Sequence, residues 1–158
     1  MMLTIDKQTI CDFLSQAGIE GFESEPYLDS AGISTIGCGT TVYPNGRRVT
    51  LKDVPISRDT ALDYLWSYVQ KDIIGLNRLI IPTLNINQST AIISFSYNTG
   101  LTNFSGSTLL RLINNGTDDS EVISNAFKMW NKVTVNGKKV VSNGLVNRRD
   151  AEISLFFS

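Results

Sequence analysis

The feature that most constrains the fold is a run of apolar residues at three- and four-residue steps: Ala61, Leu62, Leu65, Trp66, Val69, Ile73 and Leu76. Such spacing places these side chains along one face of a helix. The pattern opens at Ser57, after Pro55, and is expected to end near Arg78, before Pro82, because proline disfavours helical backbone in the residue ahead of it. A helix of about 20 residues spans about 30 Å, the diameter of a small domain. It predicts a strut between two lobes of one chain, and 158 residues suffice for such a domain with a shared core.

The segments flanking this helix differ in period. Asp6 as N-cap, Ile10, Phe13, Leu14 and Ala17 at helical spacing and Gly18 as a stop predict a first helix over 6–18. Residues 20–50 are rich in Gly, Ser, Thr and Tyr. Turns at Asp29-Ser30-Ala31-Gly32 and Pro44-Asn45-Gly46 predict short antiparallel strands near 26–29, 33–38 and 47–50. Helices are expected over 87–97, ended by Asn98-Thr99-Gly100, over 107–113, from Asp118 or Asp119 to Trp130, and over 145–156 after a hairpin-like loop at 137–144. The fold class is therefore α+β, a single domain over 1–158. Its expected parts are an N-terminal helix within 1–18 packing with the C-terminal lobe, a β lobe over about 19–56, an interlobe helix over about 57–79 and a helical lobe over about 80–158.

Chemistry is limited by the absence of histidine. Serine triads, Cys-His pairs and histidine-based zinc sites all need imidazole, so carboxylates remain. Two cysteines, Cys11 and Cys38, cannot build a disulfide framework or a four-thiolate metal site, and are read as buried reduced thiols, with a single bridge left open. No metal or cofactor is implied. The net charge of −1 argues against general nucleic-acid binding. Charge is nevertheless uneven: six acids and one base occupy residues 1–29, and six bases with no acid occupy 128–149. The basic run is either a solvated face or a cationic wall that attracts an anionic polymer or pairs with the acidic N-terminus. Asp6, Lys7 and Asp12 interrupt the apolar character of the N-terminus, so neither a signal peptide nor stable membrane insertion is expected.

Among the acids, Asp63, Asp72, Glu121 and Glu152 fit ordinary helix faces, and Asp6, Asp118 and Asp119 fit helix caps. Glu20 and Asp29 fit neither. They flank an irregular segment, the kind of setting in which a scaffold displays catalytic groups. Two carboxylates across a groove are the minimum equipment of a glycoside hydrolase, one donating a proton to the leaving oxygen and the other activating water or attacking the sugar.

The segment from Gly18 to Thr41 resembles the active-site region of the phage T4-type lysozymes, the endolysins of glycoside hydrolase family 24. Their Glu-x8-Asp-x5-Thr motif falls on Glu20, Asp29 and Thr35. The likeness continues in order through Phe95–Gly100, Phe104–Leu110 and Gly144–Glu152. The resemblance implies a lysozyme-like fold, a small β lobe and a larger helical lobe joined by the long helix with the active-site cleft between them. It implies hydrolysis, with inversion, of the β-1,4 bond between N-acetylmuramic acid and N-acetylglucosamine in peptidoglycan. Glu20 would be the general acid, while Asp29 and Thr35 would position or activate water. Asn98 would face the cleft as a sugar contact or serve only as a helix end; Arg148 would approach Glu20 and orient it. Thr40 stands where many relatives carry histidine, and Cys38 where a larger residue is common.

The implied setting is a monomer with bacterial peptidoglycan as its partner. The enzyme would be held in the host cytoplasm until a holin opens the way to the periplasm, and would lyse the cell at the end of a phage cycle. A secreted antibacterial effector is the alternative setting. A lytic transglycosylase and a catalytically silent peptidoglycan-binding module are the competing activities.

Overall fold

The computed structural model describes residues 3–158. Residues 1 and 2 of the expected N-terminal part, 1–18, lie outside the described residues. Two compact units emerge, one of residues 7–71 and the other of residues 3–6 with 72–158. The division falls within the long helix, between Lys71 and Asp72.

In the N-terminal unit, α1 covers Lys7–Leu14, four residues short of the expected end at Gly18. Its final turns loosen as the Ile19 and Gly21 amides both return to the Gln16 carbonyl, with Gly18 at φ +87°. Helix α1 falls in one unit with the β region and the start of the long helix. Arg58 Nη2 donates to Ser15 Oγ at 2.8 Å, and the Lys7 ammonium lies 5.8 Å from the centre of the Trp66 ring.

Strands β1 (Glu23–Leu28) and β2 (Ser34–Gly37) pair antiparallel, Tyr27 opposite Thr35. The register is irregular between Glu23 and Tyr27. Pro26 lies in that stretch and has no amide to give to the ladder. The third expected strand, 47–50, does not form; only a bridge between Val42 and Arg48 remains. Asp53 diverts this chain, its carboxylate accepting from Tyr43 Oη at 2.6 Å, Arg47 Nη1 at 3.1 Å, and the amide and hydroxyl of Thr50 at 3.0 and 2.8 Å. Ile36, Tyr43 and Val49 form the small core beneath, packed against Ile56 and Tyr64.

The long helix, α2, spans Arg58–Leu79 as its periodicity requires. Gly75 admits a neighbour to its backbone, since a Cβ there would meet Leu101 Cδ2 at 2.2 Å. Helix α3 (Ile86–Thr99) starts one residue earlier than expected, because Asn85 and Gln88 form a reciprocal capping box. Gly100, at φ +94°, ends it and opens a short helix, α4 (Leu101–Ser105), absent from the sequence reading. Next come α5 (Thr108–Asn114), capped by Ser107, and α6 (Ser120–Lys128), capped by Asp119.

The hairpin-like loop is a true hairpin, β3 (Lys132–Val135) and β4 (Lys138–Val141). Asn136 and Gly137 both have positive φ, 50° and 77°, as a type I′ turn demands. Helix α7 (Asn143–Phe156) follows, capped by Ser142. Phe95 anchors the core of this unit, meeting Phe104, Phe127 and Trp130 edge-on at centroid distances of 6.0, 5.4 and 6.2 Å. The fold is thus α+β, mainly helical with two small antiparallel sheets. None of the described helices is long and apolar enough to cross a membrane.

The Asp53 cluster has a pH signature. The Tyr43 hydroxyl, followed by Thr50 and Arg47, holds the Asp53 carboxyl well below the usual carboxylate range. A depressed folded-state value gives stability that is present above the unfolded value, about pH 4, and lost as the pH falls through the folded one. Asp53→Asn is expected to lower Tm at pH 7, with the gap from the parent narrowing below about pH 4 in a thermal-melt series. A gap independent of pH would show that the Asp53 charge does not stabilise the loop.

Candidate active site

Glu20 closes the turn after α1, its amide donating to the Leu14 carbonyl at 2.8 Å. Its half-buried side chain borders a cavity of about 560 Å³, lined also by Phe22, Glu23 and Tyr27. Gly39 approaches the Glu20 carboxylate from the turn after β2: a Cβ there would lie 3.0 Å from Glu20 Oε2, and φ is +79°. The positive φ favours glycine here, and any side chain would have to displace the Glu20 carboxylate. Neighbouring carboxylates act on Tyr27, whose phenol is pushed up by burial and then by Glu23, Asp29 and Glu20.

Asp29 and Thr35 are tied to one residue between them. Asp29 Oδ1 accepts the amides of Ala31 at 2.8 Å and Ile33 at 2.9 Å, while the Asp29 amide donates to the Ile33 carbonyl at 2.9 Å. The Thr35 hydroxyl donates to that same carbonyl at 2.8 Å. This Asx-type turn fixes the carboxylate through one oxygen. It also commits the Thr35 hydroxyl proton, so toward a further partner Oγ1 can only accept. Thr35 is buried, and its neighbour across the ladder is Tyr27. Thr40, two positions beyond the buried Cys38, closes a backbone bridge with Ile36 by reciprocal bonds of 2.9 and 3.0 Å.

Asn98 and Arg148 belong to the C-terminal unit, Arg148 within a buried charge cluster and Asn98 bonded to the neighbouring Arg149 of that cluster. Glu152 lies between two arginines, its Oε1 2.6 Å from Arg149 Nε and its Oε2 3.4 Å from Arg148 Nε. Ser94 Oγ donates to Glu152 Oε2 at 2.6 Å, and Arg148 Nη2 donates to the Ser94 carbonyl at 3.0 Å. Arg149 also lies 4.9 Å from the centre of the Phe95 ring and donates to the Trp130 carbonyl. Its Nη2 donates to Asn98 Oδ1 at 2.8 Å. A guanidinium carries only donors, so it must meet the amide oxygen and leaves the Asn98 NH₂ to point elsewhere. Asn98 is exposed and borders a cavity of about 380 Å³ with Met129, Trp130, Lys132, Lys139 and Leu145.

These contacts correct two readings of the sequence. Glu152 is not on an ordinary helix face; it is fully buried as the counter-ion of two arginines. The basic run 128–149 is not one surface, because Lys128, Lys132, Lys138 and Lys139 are exposed whereas Arg148 and Arg149 are buried. Arg149 was missed as a site-forming residue. The signal was available: an acid three and four residues after two consecutive arginines pairs with both on a helix. Asp72 also departs from a surface role, being half-buried with its carboxyl pushed up by burial.

Both cysteines are buried and free. Burial pushes the Cys38 thiol up to about 11. Among the described residues no group of His, Cys, Asp and Glu side chains is arranged to hold a metal ion.

Two outcomes follow. Glu152→Gln leaves two buried guanidinium groups without a counter-charge and is expected to lose about 3–5 kcal/mol in urea unfolding; a loss under about 1 kcal/mol would show the cluster to be dispensable. In the native protein at pH 8, Cys38 should react with a disulfide thiol reagent far more slowly than after unfolding. Equal rates would contradict its burial.

The chain matches the family model described as phage lysozyme over residues 17–152. It is 38% identical over 141 residues to a SAR-endolysin of Pseudomonas phage phiKMV, covering 85% of this chain and 79% of that protein. It is 33% identical over 139 residues to the endolysin of Salmonella phage P22, covering 88% and 90%. Among solved structures, an endolysin from Escherichia coli O157:H7 phage FAHEc1 superposes with a TM-score of 0.84 at 38% identity, over 96% of this chain and 90% of that one. A mutant form of P22 lysozyme superposes with a TM-score of 0.78 at 29% identity, over 100% and 99%. With most of its length matched by the family model and by relatives above 30% identity, the chain belongs to the phage lysozyme family and is a lysozyme-type hydrolase.

Proposed function

We propose that this hydrolase cleaves the β-1,4 bond between N-acetylmuramic acid and N-acetylglucosamine in bacterial peptidoglycan, with Glu20, Asp29 and Thr35 as its catalytic residues. The observation that carries the reading is the shared anchoring of Asp29 and Thr35 on Ile33, next to a strand turn that holds Gly39 against the Glu20 carboxylate. Glu20, protonated, gives its proton to the leaving glycosidic oxygen. A water donates one hydrogen bond to Thr35 Oγ1, which has only acceptor capacity left, and the other to the Asp29 carboxylate. That places a lone pair of the water toward the anomeric carbon. As the C–O bond breaks, the new bond forms from the opposite face, Asp29 takes the water's proton, and the anomeric centre inverts.

Asn98 presents its NH₂ group to an acetamido or hydroxyl oxygen of the sugar, an orientation that Arg149 supports by occupying the amide oxygen. Arg148 serves as an orienting group and transfers no proton in the reaction. The proposed setting is a monomeric phage endolysin that reaches the cell wall from the host cytoplasm through a holin-type lesion and lyses the cell.

The test is a turbidity assay on permeabilised Gram-negative cells. Glu20→Gln is expected to slow clearance at least 100-fold with an unchanged Tm. Thr35→Val should slow it about tenfold or more and Thr35→Ser, which keeps the hydroxyl, much less. Clearance that survives Glu20→Gln contradicts the mechanism. Products ending in 1,6-anhydro sugar would assign the enzyme to the transglycosylases instead.

A further inference from the structure

The N-terminal unit carries a second cavity, of about 550 Å³, bordered by Tyr43, Arg47, Lys52, Val54, Ile56 and Tyr64, with no residue in common with the lining of the Glu20 cavity. Its volume lies in the range of small-ligand sites. The walls are cross-linked before any ligand arrives. The Arg47 guanidinium stacks 4.6 Å from the centre of Tyr43, whose ring meets Tyr64 edge-on at 5.6 Å. Arg47 and the Tyr43 hydroxyl both bind Asp53. A site held this way loses little conformational freedom on binding.

Its charge is directional. The Asp53 carboxylate is occupied by donors from Tyr43, Arg47 and Thr50, and its charge is offset by Arg47. Lys52 is exposed on the rim and makes no ion pair among the described residues. Beside it Val54 is 77% exposed, and Ile56 and the tyrosine rings add apolar wall. A cationic rim beside small apolar surfaces fits a ligand with carboxylates and methyl groups. A bare neutral glycan would leave the lysine without a partner. Within peptidoglycan, the peptides attached to the muramic acid lactyl groups have this chemistry.

We propose that this cavity binds the acidic peptides of peptidoglycan and holds the enzyme on its polymer, separately from the residues that cleave the glycan. The inference rests on the peptidoglycan reading above. The site acts on retention; bond cleavage does not pass through it.

Co-sedimentation with purified sacculi at low ionic strength tests this, with every protein carrying Glu20→Gln so that the polymer persists. The parent should bind intact sacculi about tenfold more tightly than Lys52→Glu/Val54→Asp. Sacculi stripped of peptide by an amidase should bind both proteins equally weakly. Lys52→Gln alone should give an intermediate loss, and an unchanged Tm separates lost binding from lost folding. With Glu20 restored, the double variant should keep the parent's kcat on soluble peptide-free glycan fragments. Equal retention of parent and variants on intact sacculi overturns the proposal, as does equal binding of the parent to intact and stripped sacculi. Failure of the lysozyme reading would show separately, as a Glu20-containing parent that releases no reducing ends.

Discussion

One carboxylate oxygen, Asp29 Oδ1, organises the N-terminal unit around its chemistry. By accepting the Ala31 and Ile33 amides it folds 29–33 into a fixed turn. That turn sets the register in which Leu28 meets Ser34 and Tyr27 meets Thr35. The Ile33 carbonyl then takes the Thr35 proton. The group proposed to accept a proton from water and the group proposed to hold that water are therefore parts of one hydrogen-bonded frame. Such a frame limits reorganisation during reaction, the main way a protein environment lowers a barrier.

The C-terminal unit uses charge differently. Arg148, Arg149 and Glu152 are all nearly inaccessible to water. Taking three charges out of water is expensive, and the cluster is tolerated because each is met by opposite charge, by Ser94, or by a backbone carbonyl. Its visible consequence at the surface is the fixed amide of Asn98. A hydrophobic replacement could match the stability but could not orient that side chain.

Much of this was legible in the residues. The α2 stripe from Ala61 to Leu76 stated its own length, because Pro55 and Pro82 bracket it. Glu20 and Asp29 stood out as acids without a helix face or a cap to explain them. Other features depend on what folding brings together. In place of the third β strand, Asp53, three positions past Thr50, takes the Thr50 amide that a ladder would use. Glu152 looked like a surface acid since its i−3 and i−4 arginines could as well have paired with it in water. Helix α4 was hidden by its length, five residues being too few for a periodic signal. The orientation of Asn98 could not be read at all, as its partner Arg149 lies on a different helix.

The proposed inversion requires a water held between Asp29 and Thr35 that attacks opposite the leaving oxygen. The direct measurement is the anomeric configuration of the first product, followed by proton NMR during the opening minutes of hydrolysis of a soluble β-linked peptidoglycan fragment, before mutarotation. The arrangement predicts that the new muramic acid reducing end appears as the α anomer and converts to β with time. A β anomer appearing first would mean a double displacement through a covalent or equivalent intermediate, and would contradict the role given to Asp29 and Thr35.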